Sequence, residues 1–149
     1  MLEIENETQP TSGLCETVPT MTEAEVISQI RAHLEKQFPK ACPSCGHHFA
    51  SLRDYLLNTS HLGPAMSYDA DLGNWQPAKP VGTATYANCR CGNTLALTSA
   101  GMPLEQLWSL MAWGREEAAR RRQSPQELLG SLCRKVGQQV LARDPGKPA

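Results

Sequence analysis

The residues best suited to chemistry are two pairs of cysteines. Cys42 and Cys45 are separated by two residues, Cys89 and Cys91 by one, and 43 residues lie between the pairs. Four thiolates brought to tetrahedral spacing are preferred ligands of a structural Zn²⁺ ion. The pattern therefore predicts one metal site formed by all four cysteines.

Each pair is followed or interrupted by residues typical of tight turns. Pro43 presets φ for a turn, and Gly46 and Gly92 tolerate positive φ. The run Cys-Pro-x-Cys-Gly from Cys42, with Cys-x-Cys-Gly from Cys89, resembles the knuckles of zinc-ribbon proteins. The resemblance implies structural zinc, with backbone amides that hold the first cysteine deprotonated. It covers the knuckles alone, and both the shorter second pair and the long gap depart from the common spacing.

The same four cysteines could bind iron instead of zinc, and two nearby histidines could act as alternative ligands. Iron in a rubredoxin-like, electron-carrying site uses four cysteine sulfurs as well. His47 or His48 could replace a cysteine as a metal ligand, or could hydrogen-bond to a ligand and orient it. It is more common, however, for two such histidines to be polar residues at the start of a helix, without a role at the metal. Cys42 and Cys45 could also act as a glutaredoxin-like dithiol, but an amphipathic helix precedes them where that motif needs a β-strand. Cys15 is predicted to be a free thiol, and Cys133, on the apolar side of the last helix, is expected to behave as a small hydrophobic residue.

Charge and composition indicate the cellular compartment and the kind of partner to expect. The 149 residues carry a formal charge of −1, with −4 in residues 1–100 and +3 in 101–149, which favours an acidic partner only weakly. Residues 1–20 contain four glutamates and no Lys or Arg, as expected of a disordered acidic tail. No secretory signal pattern or run of about 18 apolar residues occurs. We therefore expect a cytoplasmic, bacterial-type protein without a membrane contact, in which clustered thiols bind metal.

The secondary-structure signals are local and mostly helical. The capping box at Thr22 and apolar spacing predict a helix over 22–38, and a second short helix should end between 58 and 63. Residues 61–80 have no period and are expected to form an irregular surface insertion. Strands are predicted over 82–87 and 93–97, on either side of the second knuckle. A helix over about 104–122 and another beginning at Ser124, with Pro125 in its first turn, complete the chain.

These elements predict an α+β fold. It consists of an N-terminal amphipathic helix, a small zinc-ribbon-like β module with a long insertion, and a C-terminal helical hairpin. The expected divisions are the tail over 1–20, the helix and metal module over 21–100, and the hairpin over 101–149.

The sequence favours a non-enzymatic zinc-binding interaction or regulatory protein, because it contains no hydrolase, kinase or metalloprotease motif. The expected partner is another protein, bound through the hairpin or the insertion. The alternatives are the iron electron carrier, a thiol-based redox switch, and a nucleic-acid-binding zinc ribbon, which the near-neutral charge disfavours. The residues predicted for a partner surface are Trp75, Trp113, Arg120, Arg121 and Arg122.

Overall fold

The computed structural model describes residues 21–142, which form five helices and two small antiparallel sheets. This confirms the α+β class. The elements are α1 (Glu23–Glu35), β1 (Lys40–Ala41), β2 (His48–Phe49), α2 (Leu52–Asn58), β3 (Thr59–Ser67), α3 (Tyr68–Asp71), β4 (Thr83–Cys89), β5 (Thr94–Thr98), α4 (Leu104–Arg121) and α5 (Pro125–Leu141). The predicted tail over 1–20 lies outside the described residues.

Helix α1 begins where its capping box predicts. The Glu25 amide donates to the Thr22 hydroxyl at 3.1 Å, and the Thr22 amide donates to the Glu25 carboxylate at 2.9 Å. The helix ends three residues before the predicted position 38. Val26 and Ile27 on its inner face are 1% and 4% exposed, so α1 contributes directly to the core.

Two hairpins carry the cysteine pairs. Strands β1 and β2 form a two-stranded sheet in which Lys40 lies opposite Phe49. The second sheet has the order β3-β4-β5, and β4 and β5 are joined through the turn that contains the second knuckle. Both hairpins therefore end in a cysteine turn, as the sequence predicts.

The prediction of an irregular insertion over 61–80 is wrong for its first half. Strand β3 pairs with β4 through residues such as His61 opposite Ala87, and α3 follows it. Most of β3 is exposed, and Gly63 and Pro64 lie where the register shifts between Leu62 and Met66. The strand therefore has no alternation of buried and exposed residues that sequence inspection could detect. Within the predicted insertion, residues 72–80 lack a helix or strand, and this irregular segment continues to residue 82.

A buried carboxylate fixes that remaining loop. Asp69 is 3% exposed and accepts hydrogen bonds from the amides of Val81 at 2.8 Å and Gly82 at 2.7 Å. The Asp69 carbonyl also accepts from the Asn74 amide at 2.9 Å. Both ends of the loop are thus held against α3, which directs the chain into β4.

We expect Asp69→Ala to lower the free energy of unfolding by about 1.5–3 kcal/mol, because two partly buried hydrogen bonds lose their charged acceptor. Chemical denaturation measures the change, and hydrogen exchange should show faster exchange at Val81 and Gly82. Asp71→Ala is the matched control, since Asp71 lies in the same short helix but is exposed. Equal stabilities of the two variants would contradict this role.

Helices α4 and α5 form the predicted C-terminal pair. Arg122, in the left-handed region at φ 57°, ends α4, and the Ser124–Glu127 capping box with Pro125 opens α5. The buried face of α5 packs against α1, α2, α4 and β3. One continuous core therefore contains residues from both sides of position 100, among them Phe49, Leu52, Leu97, Leu128, Leu132 and Val136.

A small ion network joins three helices. The Glu23 carboxylate of α1 pairs with Arg121 of α4 and Lys135 of α5, and Arg121 also pairs with Glu117. The hydrogen bond from Lys135, and then that from Arg121, hold the pKa of Glu23 below its ordinary value of 4.5. The charge on Glu23 therefore stabilises the folded state.

Because the folded-state pKa of Glu23 is depressed, its contribution is complete above its ordinary pKa and disappears as pH falls through the folded value. We expect Glu23→Gln to cost less than about 1 kcal/mol at pH 7, since the pair is partly exposed. The difference in the free energy of unfolding between the variant and the parent should vanish in acid. Because both proteins would lose metal at the same pH, this difference does not contain the effect of metal loss. Glu35→Gln, which affects only the exposed Arg31 pair, is the control. A Glu23→Gln cost that does not change with pH would contradict the assignment.

Candidate metal centre

The first cysteine turn is closed by two backbone hydrogen bonds. The Cys42 amide donates to the His47 carbonyl at 2.9 Å, and the Gly46 amide donates to the Cys42 carbonyl at 2.8 Å. Gly46 has a φ of 77°, which a side chain would strain. The turn thus holds Cys42 and Cys45 on the same side of the β1–β2 hairpin tip.

The second turn repeats this arrangement. The Cys89 amide donates to the Asn93 carbonyl, and the Gly92 amide donates to the Cys89 carbonyl, both at 2.8 Å. Gly92 has a φ of 94°. The same pattern of amides and a left-handed glycine therefore shapes both knuckles, although only one residue separates Cys89 from Cys91.

The two turns bring four sulfur atoms together. All four lie within 4.8 Å of one another, with 3.6 Å from Cys42 Sγ to Cys91 Sγ and 3.6 Å from Cys45 Sγ to Cys89 Sγ. A tetrahedron with metal–sulfur bonds of about 2.3 Å has edges of about 3.8 Å, whereas a disulfide requires about 2.05 Å. The cluster therefore has the dimensions of a four-thiolate metal site and could hold an ion.

The surroundings of the cluster lower the pKa of Cys42 and raise that of Cys45. The amides of Cys45 and then Ser44 hydrogen-bond to the Cys42 sulfur and hold the pKa of Cys42 at about 6, although burial opposes them. The His47 amide favours the thiolate of Cys45, but partial desolvation of this exposed residue and the neighbouring Cys89, Cys91 and Cys42 sulfurs outweigh it and raise the pKa of Cys45 to about 11. A cation relieves this repulsion, so metal binding should release protons.

Two further donors point at the sulfurs. The Asn93 side-chain amide donates to Cys42 Sγ at 3.7 Å, and the His47 backbone amide donates to Cys45 Sγ at 3.5 Å. Such contacts orient ligands and tune their basicity. Sequence reasoning missed Asn93, although its position directly after Gly92, at the exit of the second turn, was a usable signal.

The histidines beside the first knuckle do not join the cluster. Among residues 21–142, the group able to hold a metal contains the four cysteines only. The His47 ring packs on Phe49 with 4.6 Å between ring centres, and His48 is exposed in β2. Substitution of a cysteine ligand by either histidine would require the turn to rearrange.

The residues predicted for a partner surface mostly make contacts within the chain. The Arg115 guanidinium lies 5.7 Å from the Trp75 ring centre, and the Trp113 indole donates to the Met21 carbonyl at 2.9 Å. Arg120 and Arg121 both pair with Glu117. Arg122 is exposed at the end of α4. The structure does not bring these five residues to the cysteine cluster.

Cys133 is separate from the cluster. Burial raises the pKa of Cys133 in α5 to about 11, which keeps this thiol protonated near neutral pH. Cys15 lies outside the described residues. Within residues 21–142, the candidate metal site therefore contains four of the five cysteines.

No protein-family model matches the chain, and comparison with the curated proteins and with the solved structures finds no match. Within residues 21–142, every helix is too short or too polar to cross a membrane.

Proposed function

We propose that this chain is a non-enzymatic interaction or regulatory protein that binds one structural Zn²⁺ through Cys42, Cys45, Cys89 and Cys91. The observation that carries the proposal is the cluster of four sulfurs within 4.8 Å of one another, two pairs of which are 3.6 Å apart. Four protein ligands complete the coordination of zinc and leave no position for a reactive water. The ion then has a structural rather than a catalytic role.

The module would resemble a zinc ribbon because the ion would link two β-hairpins through their cysteine turns. Strands β1 and β2 contain two residues each, too few for a stable hairpin on their own. The bound ion links this hairpin to the β4–β5 turn, which is more than 40 residues away in the sequence. Zinc binding and folding of the module are therefore coupled.

Iron and redox functions are the alternatives in the same site. A rubredoxin-like iron carrier needs the same ligands. A thiol switch is favoured by the exposure of Cys45 and Cys91. Two thiolates of the site could be oxidised to a disulfide by a peroxide, which takes up two electrons and two protons to give an alcohol and water, and zinc would leave.

The proposed partner is another protein, bound through the loop over 72–82 or the exposed side of the α4–α5 hairpin. Leu72 and Val81 in the loop are 77% and 68% exposed, and exposed aliphatic side chains of this size suit a contact surface. Nucleic acid is the weaker candidate, because Glu117 pairs with two of the three arginines in the C-terminal cluster.

The test is elemental analysis and an absorption spectrum of protein purified without chelators. We expect one zinc per chain and no visible colour. One iron per chain with thiolate charge-transfer bands would replace the zinc proposal by the electron carrier. Zinc that is released by mild peroxide, with loss of two thiols, would favour the switch. A folded chain without metal would overturn the proposal.

A further inference from the structure

A groove separate from the metal centre lies between α5 and the sheet. Its volume is about 500 Å³, which falls in the range of small-molecule sites, about 300–1,000 Å³. The exposed surface of the lining is mainly apolar, and its aliphatic residues include Leu34, Leu56, Ala65, Leu97, Val136 and Leu141. Neither the cysteine cluster nor the loop over 72–82 contributes to it.

The groove exists because one face of α5 lacks large side chains. Gly130, Cys133 and Gly137 follow each other at spacings of three and four residues and all line it, so they lie on one side of the helix. A Cβ atom added to Gly137 would meet no atom within 4 Å. This space is therefore open to a ligand.

The charge of the groove is asymmetric. Arg134 lies at its edge and is exposed, and one of its guanidinium nitrogens is 3.6 Å from where a Cβ of Gly130 would be. The salt bridges within residues 21–142 do not include Arg134, and no Asp or Glu lines the groove. A single arginine beside an aliphatic surface complements a ligand with one anionic group and an apolar body.

The wall also contains a polar group without a partner. Tyr55 lines the groove and is 2% exposed, and its buried hydroxyl has no hydrogen-bond partner in the described part of the chain. An unpaired buried hydroxyl is costly. The O–H bond can turn about the C–O axis, so this hydroxyl could donate to a polar atom of a ligand that reaches it.

We propose that the groove binds a small amphipathic carboxylate. The carboxylate pairs with Arg134, and the apolar body lies beside Gly137 and extends towards Leu141. Seven helical positions separate Arg134 from Leu141, which corresponds to a length of about 10 Å. A straight-chain carboxylic acid of medium length, or an arylalkyl acid of similar extent, has this shape and charge.

The test is titration of the full chain with decanoate, followed by amide chemical shifts in NMR. The amides of Gly63, Gly130 and Gly137 should shift, because these residues line the groove, whereas Gly46 and Gly92 in the knuckles should not. Arg134→Gln should weaken binding about threefold to fivefold, because an ion pair with an exposed arginine contributes up to about 1 kcal/mol. Lys79→Gln, which removes an exposed positive charge elsewhere, should leave the affinity unchanged.

A second pair of variants tests the location without altering charge. Gly137→Leu should abolish decanoate binding by filling the groove, whereas Gly137→Ala should retain it; both should fold, because the site is open and helical. Decanol should bind about threefold to fivefold more weakly than decanoate, because it lacks the charge that pairs with Arg134. No decanoate binding, equal binding by Arg134→Gln and Lys79→Gln, or binding by Gly137→Leu would each overturn the proposal. Metal content measured on the same samples keeps this result separate from the test of the zinc site.

Discussion

Replacement of Cys89 by serine is expected to abolish stoichiometric metal binding and to unfold the region around the two knuckles. Cys89 is 4% exposed and lies at the end of β4, where its sulfur is 3.6 Å from Cys45 Sγ. A serine hydroxyl is a poor zinc ligand at neutral pH, because the metal requires a deprotonated donor. Three sulfurs would remain, with the β1–β2 hairpin no longer linked to β4 and β5.

The size of the effect follows from the coupling of metal binding to folding. Structural zinc contributes about 10–16 kcal/mol in small zinc-finger peptides, whereas a whole domain is stable by about 5–15 kcal/mol. We therefore expect Cys89→Ser to lose cooperative unfolding as well as its metal. Elemental analysis and thermal unfolding measure the two effects on the same sample.

Cys133→Ala is the matched control for this experiment, since Cys133 is a partly buried cysteine outside the cluster. This variant should keep one metal per chain and unfold cooperatively. Treatment of the unaltered protein with a strong chelator should reproduce the Cys89→Ser unfolding profile. A Cys89→Ser protein that keeps its metal or its cooperative transition would contradict a four-cysteine structural site.

The features that sequence reasoning predicted correctly are those determined within a few residues. The capping boxes at Thr22 and Ser124 each depend on a side chain and an amide three positions apart, and both form as expected. The knuckles depend on cysteine spacing and a glycine at positive φ. Because these interactions are local, their residue types are sufficient to indicate them.

The features that were missed depend on neighbours distant in the sequence. Strand β3 is paired by β4 rather than specified by its own pattern, which Gly63 and Pro64 interrupt. Asp69 lies in the segment that was predicted to be an irregular surface insertion, but its carboxylate accepts hydrogen bonds from amides twelve and thirteen residues later. The groove beside α5 arises where glycines of a helix face a distant sheet, and no local pattern indicates it.

Leu128→Ala in α5 is expected to lower the free energy of unfolding by about 3–5 kcal/mol, near the upper end for a leucine truncated in a core. Leu128 is 2% exposed and is among the largest fully buried side chains. It belongs to the core cluster that also contains Val26 of α1 and Leu97 of β5. Truncation therefore leaves a cavity where the C-terminal hairpin meets the metal-binding module.

Leu57→Ala is the matched control, because it makes the same chemical change at a side chain that is 60% exposed. Leu57→Ala should change stability by less than about 0.5 kcal/mol. Chemical denaturation should show a single transition for the parent and both variants, because one core joins the hairpin to the rest. Two separate transitions, with only one shifted by Leu128→Ala, would instead show that residues 101–149 unfold independently of the metal module.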